Sequence, residues 1–201
     1  MTGEAGLAEQ RVNKDAIAKA LAESIRRQRG YADFFDWSDK SLKEWGIAQS
    51  FVEELHRDCG PIIAAGKQHP GGANYAPDFQ LDTTSGEVWG IEITEFVSQD
   101  AIHQTKRGKA VLAEWPDEEL VAEFRRIVAR KDQPEKIRGG PYDRYGLLMH
   151  TDEPMFNAER LSAVLARLDI ETRTIDEVYV LLSYDPGVKR CPLLVFKAHR
   201  H

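Results

Sequence analysis

Apolar positions recur along this chain with two periods. From residue 12 to about 29, Val12, Ala16, Ile17, Ala20, Leu21 and Ile25 fall on one helical stripe. Residues 31–37 are aromatic and turn-like. Ser41-Leu42-Lys43-Glu44 reads as a capping box. The helix it opens would carry Trp45, Ala48, Val52 and Leu55 on one face and stop at Gly60-Pro61. Residues 66–76, rich in Gly, Pro and polar side chains, read as a loop. Strands follow at 77–83 and 87–97, then an irregular helical segment over about 98–114, interrupted at Gly108. A cleaner helix spans 117–131, with Leu120, Val121, Phe124, Ile127 and Val128 inward. Its first turn is acidic and its last basic, which suits the helix dipole. Beyond it the pattern gives a strand at 145–150, then a helix capped by Asn157 with the stripe Leu161, Val164, Leu165 and Leu168. Two strands close the chain, at 178–184 and 193–196, the first ended by the turn Asp185-Pro186-Gly187.

This order predicts an α/β fold, a mixed β-sheet with helices on both faces. An N-terminal helical extension over residues 1–40 would precede an α/β domain over 41–201.

The strands at 77–83 and 87–97 carry the chemistry. Thr84-Ser85-Gly86 makes a three-residue hairpin loop with Gly at the left-handed position. Counting outward pairs Leu81 with Trp89, Phe79 with Ile91 and Asp78 with Glu92. Asp78, Gln80 and Asp82 then share a face with Gly90, Glu92 and Thr94. Opposed carboxylates repel, so a divalent cation, a shared proton or a nearby base should compensate. Between Cys59 and Ala101 the only Lys or Arg is Lys67, against six acids. A cation from solution is therefore the economical partner, and paired carboxylates with waters suit Mg²⁺ or Mn²⁺. The bland reading, an exposed hairpin face carrying solubilising charges, is weakened by the apolar neighbours Ile91, Ile93, Phe96 and Val97.

Pro77-Asp78, a hairpin, and then Gly90-Ile91-Glu92-Ile93-Thr94 resemble the PD-(D/E)XK nuclease superfamily, the restriction-endonuclease-like fold, with core order αβββαβ. The resemblance implies that Asp78 and Glu92 bind Mg²⁺ and that the protein hydrolyses phosphodiester bonds. Thr94 stands where the family has the Lys that helps activate water. The family's additional Glu on the preceding helix would be Glu54 or Glu53, with Glu54 nearer the apolar edge. Lys106, Arg107 or Lys109, just after the motif strand, could supply the missing charge, and Gln80 could orient a water. The implied partner is nucleic acid, DNA in preference to RNA, with a homodimer open. Because a hydroxyl cannot supply positive charge, a catalytically inactive nuclease-like fold acting as a nucleic-acid or protein binding module stays open. So does a chance motif in another α/β domain.

Composition narrows the setting. The chain has 201 residues, two cysteines and a formal net charge of −6. It shows no apolar run near the roughly 20 residues of a membrane span and no signal-peptide pattern at its start. A soluble cytoplasmic protein with no membrane partner is expected, without a disulfide framework. Residues 60–67 miss the phosphate-loop spacing, since five residues separate Gly60 from Gly66 and Gln68 replaces Ser or Thr. His56-x-x-Cys59 lacks a matching second pair for zinc. No acid follows Pro186, which leaves a short basic C-terminus.

Overall fold

The computed structural model describes residues 31–35, 37, 39–69 and 76–201. The expected helix over 12–29 lies outside them.

Helix α1 (Lys40–Cys59) begins one residue before the expected box. Asp39, not Ser41, is the cap, accepting from Leu42 N–H at 2.9 Å. Ser41 is inside the helix, bonded to Gln68. The buried face is Ile47, Ala48, Phe51, Glu54 and Leu55, whereas Trp45 is 51% exposed. The inward stripe is therefore rotated from the expected one, because Phe51 and Ile47 bury more apolar surface than Val52 and reach the sheet instead.

Three antiparallel strands follow: β1 (Ile63–Gln68), β2 (Phe79–Thr83) and β3 (Val88–Glu95). β1 corrects the loop expected from residue 66. It is short, Ala- and Gly-rich and largely exposed, so it lacks the alternating apolar signal of a strand with one face buried. Helix α2 (Gln99–Lys106) is capped by Ser98 and ends before Gly108, and no regular helix fills the rest of the segment expected to 114. Helix α3 (Asp117–Lys131) has its expected bounds. Strand β4 (Arg144–Thr151) runs parallel to β3. Helix α4 (Ala158–Leu165), capped by Asn157, leads through β5 (Glu171–Thr172) to β6 (Glu177–Leu182), parallel to β4. β7 (Leu193–Lys197) pairs antiparallel with β6, and β8 (His199–Arg200) pairs with β5.

The main sheet is thus mixed and six-stranded, in the order β1-β2-β3-β4-β6-β7. Strand alternation divides the core between its faces. Phe79, Leu81, Ile91, Ile93, Leu148, Tyr179 and Leu181 pack against Ile47, Phe51 and Leu55 of α1. Leu147, Met149, Val178 and Val180 pack against Leu120, Phe124, Ile127 and Val128 of α3 and Leu161 and Leu165 of α4. Tyr31, Val97, Ala101, Ile102 and Ala113 form a smaller cluster beside α2. Among the described residues no helix is long and apolar enough to cross a membrane.

The cap assignment is testable. Asp39→Ala should lower unfolding free energy by about 1 kcal/mol. Ser41→Ala should stay within about 0.5 kcal/mol of wild type, as an exposed helix position does. Urea denaturation of both variants measures this, and a larger loss for Ser41→Ala would reinstate the box.

Candidate functional site

The hairpin has the expected register. Phe79 faces Ile91, Leu81 faces Trp89, and Thr83 closes the loop by accepting from and donating to Glu87. The ladder stops at Phe79. One residue further, Asp78 bonds through its carbonyl to His69 N–H at 2.9 Å and turns its carboxylate onto β3, where Oδ2 accepts from Ile93 N–H at 2.6 Å. Glu92 is the neighbouring acid on β3, 8% exposed, on the face opposite to Ile91 and Ile93. Strand pairing therefore sets both acids at one end of the sheet.

They line a cavity of about 350 Å³ between the N-terminal turns of α1 and the C-terminal turn of α3. Lys40, Lys43 and Glu44 enter from α1, Thr94 and Glu95 from β3, Arg130 and Lys131 from α3, and His150 from β4. Lys131 Nζ donates to Glu92 Oε1 at 2.5 Å. The Tyr145 hydroxyl stands 3.5 Å from the other oxygen, Oε2. Arg130 reaches the Thr94 hydroxyl, Nη2 to Oγ1, at 3.5 Å.

Burial pushes the Asp78 carboxyl up to about 7, with the Glu92 charge adding to it; the Ile93 N–H and Lys131 act in the opposite direction. Burial, followed by the charges of Glu92 and Asp78, also raises the Tyr145 phenol far above its ordinary value. Lys40, hydrogen-bonded to Glu44 and facing the charges of Glu44, Asp78 and Glu92, holds its proton more firmly than a free lysine.

Asp78, Glu92 and Thr94 thus come together as the sequence suggested. Glu54 and Lys106 do not join them. The buried Glu54 Oε2 lies 3.3 Å from Arg57 Nε and 3.5 Å from Arg190 Nη1. The acid that α1 brings to the cavity is Glu44, which the sequence assigned to a capping box. Lys106 ends α2 exposed to solvent and does not line the cavity. The cation beside the motif acid is Lys131, and its signal was the basic last turn of α3. Lys131 lies four residues after Ile127 and three after Val128, so it continues the buried stripe of α3.

Among the described residues no group of three or more His, Cys, Asp or Glu side chains converges to hold a metal. Four carboxylates of the described residues line the cavity, with Glu44, Glu95 and Glu92 each paired to a lysine; the Asp78 and Glu92 pair fits an ion keeping several of its waters, as Mg²⁺ does. No protein-family model, curated protein or solved structure matches this chain.

A carboxyl raised from 3.8 to about 7 binds more protons folded than unfolded between those values. Its effect on stability is therefore neutral below about pH 4 and grows more unfavourable up to about pH 7. Asp78→Asn, which keeps an oxygen for the Ile93 N–H, should raise the melting temperature at pH 8. That gain should shrink steadily toward pH 5. Melts of both proteins across this range check it, and a pH-independent difference would refute it.

Proposed function

We propose that this protein is a divalent-metal-dependent phosphodiesterase of the PD-(D/E)XK nuclease kind, acting on nucleic acid. The observation that carries the reading is the meeting of Asp78, Glu92 and Lys131 in one cavity at the sheet's end. The succession of α1, three antiparallel strands, α3 and a parallel β4, with the short α2 added between β3 and α3, supports it, since the family's core runs αβββαβ. Asp78 and Glu92 would hold Mg²⁺ or Mn²⁺. When bound there, such an ion supplies Lewis acidity and offsets phosphate charge.

The chain's own groups have defined tasks in this reading. Lys131 takes the place of the lysine missing at Thr94. Its ammonium, held against Glu92, presents positive charge to the developing charge of the phosphoryl group. Tyr145, beside the second oxygen of Glu92, limits rotation of that carboxylate. Arg130, exposed beside Thr94, can neutralise a flanking phosphate. Asp78, with its carboxyl poised near 7, favours the charged form once a cation is present.

One observation favours the alternative, a non-catalytic binding module: Lys131 already neutralises Glu92 without a metal. Cleavage assays separate the two. Plasmid and single-stranded DNA should be cut with Mg²⁺ or Mn²⁺ and not with EDTA, and Asp78→Ala should abolish cutting. Lys131→Ala should lower the rate about 10²-fold or more, on the scale of removing one transition-state donor. Lys106→Ala should leave it within about twofold, as a surface change remote from the site. Binding without cleavage by the wild type would favour the module, and equal effects of the two lysine changes would remove Lys131 from its assigned role.

A further inference from the structure

A row of rings leads outward from this cavity. His150 lines it. Phe34 meets the His150 ring edge-on at 5.6 Å, and Phe35 meets Phe34 at 4.8 Å. Phe35 then stacks on Trp37 at 4.7 Å with the planes 17° apart. The segment is tied to the cavity rim by Lys43, which bonds Asp33 and reaches Glu95 at 3.1 Å.

Trp37 is fixed and yet open. The outer edge of its six-membered ring abuts Gly46 of α1, where a Cβ would come within 2.7 Å of Trp37 Cζ3 and 3.1 Å of Phe35 Cε2. With Phe35 stacked on one face and α1 against the ring edge, Trp37 still leaves 45% of its surface in water. Three residues on, Lys40 opens α1 and lines the cavity. Its side chain is 81% exposed and pairs with Glu44 at 3.1 Å, and the charges of Asp78 and Glu92 act on it as well. A held aromatic face next to a cation, at the entrance to a cavity with a candidate phosphodiester-cleaving site, matches what an unpaired nucleotide offers. The base presents a flat π-face and the backbone a negative charge. A base paired within a duplex keeps its faces stacked on its neighbours and cannot offer one.

We propose that Trp37 is a stacking platform for single-stranded nucleic acid, with an unpaired base lying on its ring and the adjoining phosphate meeting Lys40 as the strand enters the cavity. The inference rests on the nuclease reading for its choice of ligand and narrows the substrate to single strands or frayed ends.

Fluorescence anisotropy in EDTA, with a labelled oligothymidylate and a blunt duplex of the same length, tests it. Trp37→Ala should weaken oligothymidylate binding about tenfold or more, the scale of one lost stacking contact. Trp37→Phe should retain most of the affinity, and duplex binding should be unchanged by either. Oligothymidylate should also quench the tryptophan emission of the wild type, and less so in Trp37→Phe, a readout that survives if Trp37→Ala fails to fold. Oligothymidylate affinity unchanged in a folded Trp37→Ala protein, equal losses on duplex and single strand, or no quenching would each overturn the platform. The nuclease reading is judged separately. Trp37-dependent binding without metal-dependent cleavage keeps the platform and removes the catalysis, whereas cleavage indifferent to Trp37 does the reverse.

Discussion

Two carboxylates at neighbouring positions on paired strands repel each other, and the repulsion grows as water is removed from around them. In this protein the pair is Asp78 and Glu92, and much of the local architecture answers that repulsion. The Ile93 N–H takes one oxygen of Asp78, Lys131 takes one oxygen of Glu92, and Tyr145 stands near the other. Burial, with the Glu92 charge adding to it, still holds the Asp78 carboxyl well above its ordinary range, and a cation beside it would favour the charged form.

The geometry follows from packing with no direct link to the site's chemistry. Phe79, Leu81, Ile91 and Ile93 must face α1, and the period of two along each strand then sends Glu92 to the opposite side. A one-residue slip of β3 would turn Glu92 toward the side chains of α1 and carry Ile91 and Ile93 to the opposite face, beside Lys131 and Tyr145. The phase of α3 is set in the same way. Leu120, Phe124, Ile127 and Val128 bury one stripe against β4 and β6, and Lys131 continues that stripe to the helix end. There the C-terminal dipole also favours a cation. Hydrophobic burial thus fixes the positions of charged groups that would not choose each other's company unaided.

Much of this was legible from sequence. The loop Thr84-Ser85-Gly86 and the alternation around it sufficed for the hairpin register, and strong periodicity sufficed for α3, β4 and α4. The misses share a cause. Signals that are local and weak were overridden by contacts distant in sequence. β1 is an exposed strand without an apolar pattern. At the start of α1 the capping-box pattern points to Ser41 and assigns Glu44 to the cap, whereas the structure caps the helix with Asp39 and turns Glu44 to the cavity. Proximity to the motif strand points to Lys106, Arg107 or Lys109, whereas the fold brings Lys131, 39 positions from Glu92, into contact. The helix dipole accounts for the basic turn of α3 by itself, and only the continuation of the buried stripe through Ile127 and Val128 places Lys131 at the sheet.

The functional reading depends on Asp78 and Glu92 forming a site for a divalent cation. Isothermal titration calorimetry of Mn²⁺ into the metal-free protein at pH 8 tests it most directly. One binding event per chain is expected, lost in Asp78→Asn and in Glu92→Gln and retained in Thr94→Ala. A wild-type titration with no saturable heat, or binding that persists undiminished in both acid variants, would contradict it.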